Sequence, residues 1–542
     1  IDTPALDLVT PHISTVSRLR LDLPETGSPL VDMQTDFRDA VGTYAPLYYP
    51  ANIMKPGLLR WLEHSIIDAR VPWGSFILRG PIADFPFHET HSGHFEVVFG
   101  VEEGALDYLP EWPPLEDLVA DIRFHNNSMT ITGGDARILS SRLYDMEARL
   151  GALRSPGSPL ELRGEASGPL EDVLAILRDT PLREKFGRVV EGAEATGRSR
   201  LSLEMLLPLK TAVEGALAGQ LEFRESGLRK PEWGVDFSAI SGTLDVTHEG
   251  LDAKDVNATV ANRPVRVSVS SSGAGTRVGI RGRLSAAALK QQYPALGMVP
   301  MEGTSYWNLQ VQMPPTDRLD SQPLEIAAAS TLDGTAVDLP LQLGKPAEGE
   351  MPFRAKVELA GGTVGQIDLD LGPLSVKGTA VEDGWQGRLE SPTASGQLFL
   401  PAAGTRGVPV RADFDRLSLL VDPASHPEQP PSPARETAPH DIPELVITSR
   451  DTLINGHPYG ELAATLRHIE GGVRLEELSL ESDQGALQVT GEWTQDEDGQ
   501  ATALELDIRT TELGRTLKDL LLSGAVGEGT GAMSATISWR GP

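Results

Sequence analysis

At 542 residues the chain exceeds one ordinary hydrophobic core, which leaves several domains in series or a repetitive, elongated architecture. A formal net charge of −30 repels nucleic acid and anionic lipid headgroups, excluding DNA binding and a polybasic membrane patch. The absence of cysteine excludes disulfides, thiol catalysis and cysteine-based metal sites.

Abundant Gly (55) and Pro (41) without a collagen period suit many short strands joined by turns. No run of about eighteen apolar residues is present, and Ile1 begins in mid-pattern. The chain therefore reads as an excised soluble segment whose parent carries any membrane anchor elsewhere.

In chain order, Leu19 and Leu21 alternate with Arg18, Arg20 and Asp22, a half-buried strand pattern. The stretch Lys55–Phe124 then changes period. Pro56 suits a first helical turn, and Leu58, Leu62 and Ile66 recur at one-turn spacing beside Trp61. After Val71 the period is two: Ser75, Ile77 and Arg79 alternate with Phe76, Leu78 and Gly80. Phe95, Val97 and Phe99 continue that mode, followed by Ile122, Phe124, Met129 and Ile131. Leu170, Val173, Leu174 and Leu177 mark one face of a second helix, which Pro181 ends or kinks; Leu182–Val190 reads as a short helical continuation.

From Arg198 the alternation is sustained. Its apolar positions are Leu201, Leu203, Met205 and Leu207; Leu244 and Val246; Val256 and Val260; Val265, Val267 and Val269; Val278 and Ile280. Short turns with Gly or Asn separate these strands, the mark of an antiparallel meander. A third helix starts with Ser285 as N-cap and runs to about Gln292. Strands resume with Leu309 and Val311, Val357 and Leu359, Ile367, Leu369 and Leu371, then Leu417 and Leu419. Residues 422–444 carry seven prolines and read as a solvated, disordered loop. Beyond it, Leu487 and Val489, then Leu504, Leu506 and Ile508, are again strand positions. Leu513, Leu517, Leu520 and Leu521 suggest a fourth helix, and Met533 to Trp539 a closing strand.

The sharpest chemical cluster is HETHSGH, with His88, His91 and His94 near Asp84, Glu89 and Glu96. Its spacing is not that of a standard zinc protease, and a solvated polar turn is the simpler reading. No nucleophile elbow occurs, and the pairs Gly361–Gly362 and Gly471–Gly472 read as hairpin turns rather than phosphate loops. No catalytic residue, metal site or cofactor is expected, and the chain is not read as an enzyme.

A strand with one apolar face must cover that face. Four short helices cannot cover roughly thirty strands, so two architectures stay open: β-sandwich domains in series, or one long sheet curled so that its apolar faces line a groove. At about 4.8 Å per strand, such a trough would extend on the order of 140 Å.

The segments VPWGSFILRGPIADFPF (Val71–Phe87) and LDYLPEWPPLEDLVADIRF (Leu106–Phe124) resemble the YhdP family of AsmA-like envelope proteins. The similarity continues through Leu160–Leu182, Ser199–Leu209, Leu228–Val246, Ile454–Leu466, Gly485–Trp493 and Ala532–Trp539. The resemblance implies a mainly β fold: one continuous curled antiparallel sheet over residues 1–542, forming an elongated hydrophobic groove with about four short helices. It implies a bridge-like lipid transfer protein of a Gram-negative periplasm, anchored in the inner membrane through a region outside this segment. The alternating Leu, Val, Ile and Met positions named above become the candidate groove lining, with phospholipids as ligands, contact with both membranes made by regions outside, and envelope proteins as possible partners. A structural or assembly role resembling the related TamB proteins is the alternative.

Overall fold

In the computed structural model the described residues are 1–49, 54, 56–153, 158–208, 215–231, 235–273, 275–292, 301–318, 321–339, 343–360, 363–402, 407–420, 439, 442–496, 499–514, 527 and 529–541. They form two units. The first comprises Ile1–Gly282 with Pro314–Asp317, the second Arg283–Met313 with Arg318–Pro542.

Unit 1 opens with β1 (Asp2–Val9), β2 (Ser14–Asp22), β3 (Leu30–Val41), β4 (Ile66–Pro81) and β5 (His94–Leu106). It continues with β6 (Leu115–His125), β7 (Ser128–Ile138), β8 (Ser141–Leu150), β9 (Pro159–Pro169) and β10 (Glu194–Pro208). It ends with β11 (Ala216–Lys230), β12 (Val235–Thr247), β13 (Leu251–Val260), β14 (Arg263–Ser272) and β15 (Gly275–Ser285), whose last residues belong to the second unit. Each strand pairs antiparallel with the next, as period-two sequence between short turns dictates.

Successive connections in a meander alternate between two margins, so those after β3, β5, β7 and β9 share one. Helix α1 (Pro56–Ser65) follows β3, and helices α2 (Leu170–Asp179) and α3 (Arg183–Val190) follow β9. α2 opens with Glu171 and Asp172 and closes with Arg178, charges that oppose its dipole ends. Asp172 also accepts hydrogen bonds from Ser140 in the β7–β8 connection and from Ser141, the first residue of β8. Arg183 pairs with Glu111 at 2.7 Å, and Trp61 donates Nε1–H to the Tyr108 carbonyl at 3.1 Å. These contacts tie the margin together. Leu174, Val190 and Ala193 form a buried cluster with Leu177, Ala195 and Leu228.

Bulges interrupt the unit 1 ladders where single residues adopt positive φ. Glu103, Asp117, Gly133, Asp145, Glu225 and Ala239 each sit at a register shift between neighbouring strands. A bulge adds an unpaired residue and bends its strand.

Unit 2 contains helix α4 (Ala286–Gln292), whose Ala288 amide donates to Ser285 Oγ at 3.2 Å, the expected N-cap. Its strands are β16 (Met301–Met313), β17 (Leu324–Ser330), the three-residue β18 (Thr335–Val337), β19 (Phe353–Ala360), β20 (Thr363–Leu371), β21 (Leu374–Val381), β22 (Gly384–Glu390) and β23 (Ala394–Pro401). β24 (Val410–Leu419), β25 (Leu445–Ile454), β26 (His457–Ile469), β27 (Gly472–Ser482), β28 (Gly485–Asp496), β29 (Gly499–Thr510) and β30 (Gly531–Arg540) follow. β16 pairs with both β17 and β18, and β17 skips β18 to pair with β19.

One pairing corrects the all-antiparallel expectation. β24 and β25 run parallel, with Ala412 opposite Ile447 and Leu419 opposite Ile454. A parallel pair needs a long return connection, and the Pro-rich segment occupies that place in the sequence. Its reading as disordered lies largely outside the described residues, as does most of the proposed helix from Leu513 to Leu521. Among the described residues no helix is long and apolar enough to cross a membrane.

Candidate functional site

Residues directly opposed in a ladder point to the same side of the sheet, so the registers can be read as rows. In unit 2 one row passes through fourteen strands: Val311, Ile326, Val357, Ile367, Gly378, Gly387, Leu398, Ala412, Ile447, Ala464, Leu478, Val489, Leu506 and Ala535. Every member is nonpolar. Beside it, Leu309, Ala328, Ala355, Leu369, Val376 and Leu389 form a second row. Leu480, Leu487, Ile508 and Met533 form a third, and Leu504 faces Gly491 and Ile537. Leu359 and Leu371 stand opposite Leu324 and Phe353, and Leu417 and Leu419 opposite Thr452 and Ile454.

Unit 1 has shorter rows. Phe76, Val97, Phe124, Met129, Leu150, Leu160 and Leu207 make one. Phe99, Ile122, Ile131, Ala148, Leu162, Met205 and Leu217 make another, and Leu143, Ala166, Leu201, Leu221 and Leu244 a third. Leu203 and Val246 each face Gly219. Farther along, Val256 opposes Val267 and then Ile280, Val269 opposes Val278, Val265 opposes Gly282, and Val260 opposes Arg263 at its turn.

Of the candidate lining residues, only Val256, Val265, Leu371, Leu417, Val489 and Ile508 are buried; the others are half-buried and none is exposed. A β-sandwich would seal its inward side chains beneath a second sheet. Here most of the apolar face keeps access to solvent. At one margin of unit 1 the α2–α3 pair packs against Ala195 of β10 and Leu228 of β11, which oppose each other in the ladder. Phe76, Phe99, Phe124, Met129, Leu160 and Leu162 belong to these rows and are absent from the sequence-derived lining, although the same period-two alternation marks them.

The opposite face is charged and internally paired. Arg200 hydrogen-bonds Glu165 at 2.8 Å, and this contact with that of Tyr144 holds the Glu165 carboxyl below the usual carboxylate range. Glu147 is clasped by Arg149 and Arg163. Burial pushes the Glu96 carboxyl up, but hydrogen bonds from His94 at 3.1 Å and Arg123 at 2.6 Å outweigh it and hold the carboxyl low.

His88 and His91 stay in the turn before β5, and His94 enters the strand. Among the described residues no group of three His, Asp or Glu side chains is arranged to hold a metal ion. Gly471, at φ +77°, forms the β26–β27 hairpin turn as expected, whereas Gly361 and Gly362 lie outside the described residues. Trp61 and Trp73 remain 43% and 44% exposed, so neither is sealed into a core, while Trp112 is half-buried beside Tyr108.

A family model described as "YhdP protein" matches residues 1–373 and 358–542. The Escherichia coli (strain K12) protein named "Intermembrane phospholipid transporter YhdP" is 21% identical over 248 residues, a match covering 46% of this chain and 19% of that protein. No solved structure matches.

Proposed function

The chain belongs to the YhdP family, and we propose that its apolar sheet face is a passive conduit carrying phospholipids across the periplasm, between the inner and outer membranes. In this reading the apolar rows of each unit are the lipid-bearing face, and the candidate residues lie on them. The parent protein is anchored in the inner membrane by a region outside this segment.

The observation that carries the proposal is the unbroken nonpolar row from Val311 to Ala535, half-buried over most of its length. Each acyl methylene laid on such a face contributes up to about 0.8 kcal/mol without directional bonds. Sliding by one methylene therefore loses and regains the same contact, which lets a bound chain move while staying bound. The headgroup stays in solvent at the mouth. The name of the E. coli relative agrees with this substrate.

The test is extraction of the purified segment followed by mass spectrometry. Co-purifying diacyl glycerophospholipid is the expected result. Recovery of none, under conditions where an established lipid carrier retains its cargo, would overturn the proposal. Recovery of bound outer-membrane client proteins instead would favour an assembly role resembling TamB.

A further inference from the structure

Along single strands the apolar face has definite ends. On β14 it holds Val265, Val267 and Val269, with Arg263 at one end and Ser271 at the other. On β29 it holds Leu504, Leu506 and Ile508, with Thr502 and Thr510 as the ends. β10, with Leu201, Leu203, Met205 and Leu207, and β19, with Phe353, Ala355, Val357 and Leu359, carry one position more. The hydroxyls at the ends are already engaged within the protein. Ser271 Oγ lies 2.9 Å from Thr276 Oγ1, Thr502 donates to the Gly541 carbonyl at 2.6 Å, and Thr510 donates to that of Gln484 at 3.4 Å. In each unit an apolar strip thus runs between two polar borders.

Same-side residues stand about 6.8 Å apart along a strand, so three of them make a strip about 20 Å wide. Carbon–carbon bonds of about 1.5 Å at near-tetrahedral angles advance about 1.25 Å each, so about sixteen carbons span that width. An acyl chain has two courses over such a face. Laid across the strands, it would set each headgroup on the nonpolar rows, where the phosphate loses water without gaining a partner. It would also meet the bulges at which the unit 1 rows break off. Laid along the strands, it follows an alternation that β10 and β14 carry without interruption from Leu201 to Leu207 and from Val265 to Val269, and its headgroup clears the strip at a border.

We infer that bound lipid lies with its acyl chains along the strands and its headgroup beyond a polar border, so that the strip gauges acyl length: chains of up to about sixteen carbons are covered, and longer ones overhang. This rests on the lipid-conduit reading and adds a substrate limit to it. Each overhanging methylene is returned to water, at about a fourfold loss of affinity.

The test equilibrates the full 542-residue chain with fluid vesicles that hold equal amounts of diacyl phosphatidylcholines with monounsaturated chains of fourteen, sixteen, eighteen, twenty and twenty-two carbons. Mass spectrometry of the retained lipid should match the vesicle composition up to sixteen or eighteen carbons and show depletion of at least about fourfold at twenty-two. A second measurement loads one lipid at a time and counts the molecules bound per protein by native mass spectrometry. Chains along the strands occupy the same number of strands whatever their length, so the count should hold from fourteen to eighteen carbons. Chains laid across the strands need more of them as they lengthen, and the count would drop by about a fifth over that range. Such a drop overturns the inference, as does retention that is flat to twenty-two carbons or changes evenly over the whole series. Retention of no lipid of any length would overturn the conduit reading along with it.

Discussion

The two units keep one face apolar by different means. Unit 2 relies on register: its longest row crosses fourteen strands, and the bulges of those strands lie to either side of it. Unit 1 relies on bulges, placing Glu103, Asp117, Asp145, Glu225 and Ala239 in left-handed backbone so that strands bend while shorter rows stay nonpolar. A continuous apolar surface therefore does not demand a regular ladder. It demands that each irregularity add residues where the row does not pass.

The largest effect that separates the two is steric. Gly378→Val in unit 2 would meet the Gln386 carbonyl at 2.4 Å and the Gly387 Cα at 2.6 Å, backbone atoms that cannot swing away. A loss of about 3 kcal/mol is expected in urea unfolding. Gly100→Ala in unit 1 meets first the Trp73 side chain, at 2.7 Å, which is 44% exposed and can turn aside; under about 1 kcal/mol is expected. Equal losses would erase the distinction.

Next come charges placed on the face itself. Leu369→Asp and Val267→Asp should each abolish lipid recovery while costing about 1–3 kcal/mol of stability, since both sites are half-buried rather than sealed. If only Leu369→Asp blocks loading, the path uses unit 2 and the unit 1 face serves another end. Smaller still, Ala239→Gly should stabilise by about 0.5–1 kcal/mol, because an exposed alanine at φ +49° bears strain that glycine does not. No gain in the urea midpoint would mean that the bulge there is unstrained.

The smallest effect concerns Glu444, whose carboxyl is held below its ordinary value of 4.5 first by the hydrogen bond from Arg467, against burial, and then by the His468 amide. A depressed pKa stabilises the fold above the unfolded value and loses that contribution as pH falls through the folded one. Glu444→Gln should therefore cost roughly 0.2–0.5 kcal/mol at pH 7, and the difference should vanish in acid below the ordinary carboxylate range. A difference that persists there would refute an ionic origin.

Much of this was legible in the chain. Alternation at Leu201–Leu207 and Val265–Val269 gives strands and their apolar side, and Pro56 and Ser285 give helix starts, because these are local effects of period and capping. The bulges were not legible: an Asp tolerates left-handed backbone without demanding it and an Ala disfavours it, so neither Asp145 nor Ala239 announces its bulge. Phe414 and Leu417 differ in parity yet pair along the same ladder, because a register shift falls between them. The parallel β24–β25 pair was invisible for a similar reason: prolines announce a connection, not the direction of the strand it returns.

That parallel pair also bears on how the protein is made. Neighbouring strands such as β28 and β29 are separated by two residues and can zip from their near ends, whereas β24 meets β25 only across residues 420–444. The longer closure costs about 2 kcal/mol more in chain entropy and offers no hairpin to start from. β16–β24 and β25–β30 should thus gain structure as separate zippers, with their seam forming last. Pulse-labelled hydrogen exchange should find the β24–β25 amides protected after those of β28 and β29, and if the seam is protected first, folding begins there.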